Sequence, residues 1–215
     1  MPPIPFQQAS APLPSKCHHM SFLDLARSRR SVRQYQPTPI PDDLLQQVLE
    51  AGRWAPSAVN SQPWEFIVIT DPQVKQAVYD LAGVLGLKWK QLLSAPVVIV
   101  ICARKLTGYS RDDCIFAAEN MLLCAADLGL GTCWVGGFSE DKLKRLLSIP
   151  QGYILPGMLT IGYPASEPSA PARRELAAMV HHDTFENRGL DLSHVRRIGH
   201  LISKLLRLQR SKPPS

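Results

Sequence analysis

The stretch "APVVIVICA", Ala95 to Ala103, runs nine residues without a charge, a hydroxyl or an amide side chain. A strand with one wet face alternates apolar and polar residues, whereas one covered on both faces has no reason to. The run is far shorter than the ~20 apolar residues of a membrane helix. It predicts a strand buried inside a layered domain. Working outward, "WEFIVIT" (64–70) is a second strand of β-branched and aromatic residues, closed by Asp71-Pro72. "PQVKQAVYDLAG" (72–83) predicts a short helix, and "LGLKWKQLLS" (85–94) a mobile connecting segment. Beyond Ala103, "RDDCIFAAENMLLCAADLGLG" (111–131) predicts a long apolar helix stopped by Gly129 and Gly131. The strand-and-turn "TCWVGGF" (132–138) follows. Then come a helix in "SEDKLKRLLSIP" (139–150) capped by Ser139, and a strand in "YILPGMLTIGYPA" (153–165).

Two helices precede the strands. "SFLDLARSRRS" (21–31) places Phe22, Leu25 and Ala26 at helical spacing behind Ser21 as N-cap, and the helix should stop near Arg30. "DDLLQQVLEAGRWA" (42–55) has acids in its first turn and Leu44, Leu45, Val48 and Leu49 on one face, with Pro56 ending it. Interleaved strands and helices imply an α/β or α+β layered domain. "PASEPSAPA" (164–172) reads as a proline-rich surface connection.

The 215 residues carry a net charge of +6, but residues 1–186 hold 17 basic and 17 acidic side chains, so the whole imbalance lies in residues 187–215. A neutral globular part argues against a general nucleic-acid binder. Residues 1–19, rich in proline, lack the charged start and apolar block of a secretory signal; they are expected to be a disordered leader, with Met20 as an alternative start. Five scattered cysteines without a CxxC pair read as reduced thiols of a cytoplasmic protein, and their spacing offers no metal site. In 187–215, Leu192, Val195, Ile198, Leu201, Ile202, Leu205 and Leu208 form one stripe of a basic amphipathic helix. That tail has three open roles: an arm on a second copy, a helix on an anionic membrane surface, or a nucleic-acid contact.

Four stretches carry candidate chemistry. In "RRSVRQY" (29–35), Arg29, Arg30 and Arg33 cluster around Ser31; arginine forks suit a phosphate monoester, and a solvated basic loop is the alternative. "APSAVNSQPWEF" (55–66) sets Ser57, Asn60 and Gln62 on a turn, where uncharged donors and acceptors suit the edge of a heteroaromatic ring. An Asx-type turn explains Asn60 equally well, and Trp64 reads as core. Gly136-Gly137 at a strand end lets backbone N–H groups approach a ligand. Arg173 and Arg174 are a second basic cluster that would serve the same phosphate if the chain brought them together. No nucleophile elbow, zinc motif or Cys–His pair accompanies them, so the chemistry is expected from a cofactor.

Taken together and in this order, "RRSVRQY", "APSAVNSQPWEF", "ENMLLCAADLGLGTCWVGGF", "TIGYPA" and "RRELAAMVHH" resemble the FMN-dependent nitroreductase family over residues 20 to 185. The resemblance implies an α+β, three-layer fold with a mainly antiparallel sheet, in a homodimer with FMN at the subunit interface. It implies a leader (1–19), an FMN-binding domain (20–186) and a C-terminal tail (187–215) reaching onto the partner. Arg29, Arg30, Ser31 and Arg33 would contact the phosphate, the ribityl chain and the pyrimidine side of the flavin. Pro56, Ser57, Ala58, Asn60 and Gln62 would approach from the other subunit, Gly136 and Gly137 would lie near flavin N5, and Arg173 would close the phosphate site. The implied activity is ping-pong hydride transfer from NAD(P)H to a small electron-poor acceptor such as a nitroaromatic or quinone. Reductive dehalogenation, dehydrogenation, flavin cleavage and a non-enzymatic flavin-binding module are the alternatives. The segment 81–94 is short for the family, and Lys88 is its one candidate phosphate ligand.

Overall fold

The computed structural model describes residues 20–84 and 86–185. The leader and the basic tail lie outside the described residues. The chain divides into two compact units, breaking after Ala170.

In the first unit, strands β1 (Trp64–Ile69), β2 (Val97–Arg104), β3 (Gly131–Val135) and β4 (Tyr153–Gly162) form one antiparallel sheet in the order β1-β2-β4-β3. The apolar run of β2 is central, and its alternation reappears as two cores. Val97, Ile99, Ile101 and Ala103 join the cluster under helices α2 (Asp42–Arg53) and α5 (Ser110–Asp127). Val98, Val100 and Cys102 join the opposite cluster, which holds Val78 of α3 (Pro72–Leu81), Leu92 of α4 (Gln91–Ser94) and Leu143 of α6 (Glu140–Leu146). Each side chain of β2 before Arg104 is buried, because helices cover both faces. The three-layer expectation holds.

Helix starts follow local chemistry. Ser21 Oγ accepts the Asp24 N–H at 3.1 Å ahead of α1 (Phe22–Ser28), and Asp71 Oδ1 accepts the N–H groups of Gln73 and Val74 ahead of α3. Ser139 sits at the N-cap position of α6, but its side chain caps nothing; Glu140 and Asp141 supply favourable charge in that first turn instead. The segment expected to be a connector contains α4, whose Gln91 and Leu92 are buried. Lys88 donates to the carbonyls of Asp80 (2.7 Å) and Tyr79 (3.5 Å), at the C-terminal end of α3.

The described part of the second unit is short: a 3-10 turn over Leu176–Ala178 and a stack of His181 on Phe185 with ring centres 4.3 Å apart. Among the described residues, no helix is long and apolar enough to cross a membrane.

Candidate functional site

The arginine cluster is set by what lies beneath it. After α1 the chain extends along the start of β3: Ser31 forms a parallel bridge with Thr132, and the Val32 N–H donates to the Thr132 carbonyl at 2.8 Å. Val32 and Tyr35 turn inward onto Ala95. The Tyr35 hydroxyl meets the Val32 carbonyl and Thr160 Oγ1, each at 2.7 Å, and burial pushes its phenol well above the ordinary value. Gly131 has no room for a side chain, since a Cβ there would lie 2.7–2.9 Å from three carbons of Val32. With Val32 clamped, alternation leaves Ser31 half-buried and Arg33 exposed on the other side.

The three guanidinium groups are not equivalent. Arg30 turns back onto the end of α1, donating to the carbonyls of Arg27 and Arg29. Arg33 reaches the Ser31 carbonyl at a long 3.4 Å. Arg29, half-buried, forms no side-chain hydrogen bond or ion pair among the described residues. It also lines two cavities. One, of about 350 Å³, includes Arg30, Gly129, Gly131 and Thr132; the other, of about 250 Å³, includes Ser31, Glu119, Leu122 and Trp134. Burial raises the pKa of the Cys133 thiol, while the positive charge of Arg33 and, less strongly, of Arg29 pulls it back. Thus the field of the cluster reaches β3. Half-buried guanidinium without a carboxylate partner is the donor set expected for an anion with several oxygens.

The second predicted stretch folds as a 3-10 turn over Ala58–Asn60. Val59, Asn60 and Gln62 adopt φ of 49°, 56° and 45°. The left-handed region is uncommon for any side-chain-bearing residue and a true outlier for β-branched Val59, with a cost of ~1–3 kcal/mol per residue. The turn is closed by Ser57, not by an Asx turn at Asn60: Ser57 Oγ accepts the Gln62 N–H at 3.0 Å. The Asn60 amide side chain has no partner among the described residues. Beneath the turn, the buried carboxylate of Asp113 on α5 accepts the Ala58 N–H at 3.1 Å and the Ser61 hydroxyl at 3.5 Å. Pro56, Ser57, Ala58, Tyr109, Asp113 and Phe116 line a third cavity of about 370 Å³. It shares no lining residue with the two cavities at Arg29.

At the far end of β3, Gly136 is exposed, whereas Gly137 is packed: its carbonyl accepts Trp89 Nε1 (2.8 Å) and the Gly83 N–H (2.9 Å), and a Cβ on it would lie 2.5 Å from Val84. The closeness that glycine permits at 137 is thus to the segment 83–89. Arg173 is exposed in the second unit, and Arg174 donates to the Ala178 carbonyl. Asp113, Trp89 and Trp134 were not singled out from sequence. Asp113 sits in the opening turn of a helix, where acids are ordinary. Among the described residues, no cluster of His, Cys, Asp and Glu could hold a metal ion.

The profile of the nitroreductase family matches residues 26–85 and 84–163. The chain belongs to the nitroreductase family. A Methanothermobacter thermautotrophicus protein provisionally named NADH dehydrogenase/NAD(P)H nitroreductase is 34% identical over 161 residues, covering 71% of this chain and 82% of the relative. The iodotyrosine deiodinase of Thermotoga neapolitana is 26% identical over 183 residues, covering 75% and 97%. Among solved structures, the FMN-dependent nitroreductase of Clostridium difficile R20291 superposes with a TM-score of 0.70 at 28% identity, over 76% of this chain and 99% of that one. As a nitroreductase-family protein the chain is an oxidoreductase with an α+β fold built on an antiparallel sheet.

Proposed function

We propose that this chain is an FMN-dependent NAD(P)H oxidoreductase that acts as a homodimer, with each flavin site built from two copies. The observation that carries the reading is Arg29: half-buried, unpaired among the described residues and shared by two cavities. The residues present fit the cofactor. A phosphate monoester needs forked donors, which Arg29 and Arg30 bring to the larger cavity. A flat ring needs an apolar slot, which Leu122 and Trp134 bring to the smaller one.

FMN, when bound, accepts two electrons from NAD(P)H and passes them to a second substrate in a ping-pong cycle. The protein's own part is binding and electrostatics. Arg29, Arg30 and Ser31 hold the phosphate and ribityl end, and Arg33 adds positive charge beside the pyrimidine side, where negative charge grows on reduction. Gly136 would border the flavin ring, and Gly137 fixes the turn behind it. Pro56, Ser57, Ala58, Asn60 and Gln62 complete the site from the other copy. Two facts support that division: the turn carrying them lines a different cavity from Arg29, and apolar side chains lie exposed around it, including Trp54, Val59, Tyr109 and Phe116.

Nitroaromatics and quinones are the proposed acceptors. Reductive dehalogenation is the second reading, favoured by the likeness to iodotyrosine deiodinase. A cytoplasmic location is proposed on the four described thiols, none of which is in a disulfide. The experiment is anaerobic addition of NADH and of NADPH to purified protein carrying FMN. Bleaching of the flavin absorbance by at least one of them is expected; full absorbance with both contradicts the proposal. Reoxidation by nitro compounds, quinones or halotyrosines then sorts the acceptors.

A further inference from the structure

Asp113 is 2% exposed on the inward face of α5, where its neighbours Cys114, Ala117, Ala118 and Met121 are apolar or weakly polar. A buried carboxylate is costly unless its oxygens are satisfied. Among the described residues no Lys or Arg pairs with it. The N–H groups of Leu106 and Thr107, just ahead of its helix, go to Ser110 Oγ rather than to it. Its two oxygens go instead to the turn 57–62: Oδ1 to the Ala58 N–H at 3.1 Å and Oδ2 to the Ser61 hydroxyl at 3.5 Å. Between those two anchors lie Val59 and Asn60, both with positive φ, and Gln62 follows with the same sign. Val59 is 91% exposed, so no packing of its own side chain within this chain holds it there.

We infer that Asp113 is the positioning residue of the flavin site: its carboxylate pins both ends of the 58–61 turn, holds Val59 and Asn60 in the left-handed region, and thereby aims the Asn60 amide, unpartnered among the described residues, at the cofactor. The inference rests on the proposed role of residues 56–62 at the flavin. In this role Asp113 acts through the turn, not by contact with cofactor or substrate. An apolar residue of equal size would satisfy the core of α5, so the carboxylate is there for what it holds.

The test compares Asp113→Leu, which keeps the volume and removes both acceptors, with Asp113→Asn, whose carbonyl still accepts the Ala58 N–H while its amide meets Ser61 Oγ. Hydrogen exchange of the peptide containing 57–62 is read on flavin-free protein, and FMN affinity by quenching of flavin fluorescence. The expectation for Asp113→Leu is exchange faster by about tenfold or more in that peptide, unchanged exchange in β2 and β4, and FMN affinity weaker by about tenfold. Asp113→Asn should restore both to within about threefold. Unchanged exchange at 57–62 overturns the role of Asp113 whatever FMN does. Faster exchange with undiminished FMN affinity overturns the positioning role too, and faults the placing of this turn at the flavin rather than the hold of Asp113 on the turn. Should Asp113→Leu not fold, Ser61→Ala removes one of the two donors and is read by the same pair of measurements.

Discussion

Arg29 is the one arginine of its cluster with nothing to do inside its own described surroundings. Arg30 directs Nη1 to two backbone carbonyls and Arg33 is weakly tied to a third. Arg29 instead stands half-buried between two cavities. A charge-assisted hydrogen bond contributes ~1.5–3 kcal/mol. Arg29→Ala should therefore weaken FMN binding on the order of tenfold to a hundredfold, with little change in thermal stability of the flavin-free protein. Isothermal titration with FMN, paired with a melting curve, checks both. An unchanged FMN affinity would mean that the phosphate lies elsewhere. From sequence the three arginines were indistinguishable, because spacing reports neither which guanidinium meets a helix end nor which faces a cavity.

The extended segment 29–35 functions as an element although it is scarcely a strand. It is held by two bridges (Ser31 to Thr132 and Tyr35 to Pro164), one backbone bond to β3 and the burial of Val32 and Tyr35. Gly131 makes the close approach possible. In Gly131→Ala the new methyl meets three carbons of Val32, a side chain whose branched Cβ leaves little freedom to turn away. A loss of ~1–3 kcal/mol is expected, and FMN affinity should fall with it as the arginines shift. Gly152→Ala is the control, since nothing lies within 4 Å of its Cβ position. Urea unfolding and flavin titration of the two variants should separate them; equal behaviour would show that the segment does not depend on this contact. At this scale the strands and helices were legible, because β2, α2 and α5 announce themselves through periodicity and length. The cap of α6 and the role of Lys88 were not. A serine at a helix start permits a cap without requiring one, and an exposed lysine has several carbonyls in reach.

At the scale of the whole molecule, the layered fold was legible in the unbroken apolar run of β2, and the family in the order of its motifs. The proposed composite character of the site came only through the family resemblance, because residue spacing alone does not say which loop serves its own cavity and which serves a second copy. Arg29 and the 56–62 turn lie at separate cavities of one chain. A closed two-fold dimer would bring the turn of each copy to the arginines of the other. The central claim is that both copies build each flavin site, and complementation between two damaged chains tests it. Arg29→Ala and the double variant Asn60→Ala/Gln62→Ala are mixed in equal amounts, exchanged, and titrated with FMN. Mixed dimers hold one doubly damaged and one intact site, so with random exchange about a quarter of all sites should regain wild-type affinity. A mixture that binds FMN no better than its two components would contradict the account.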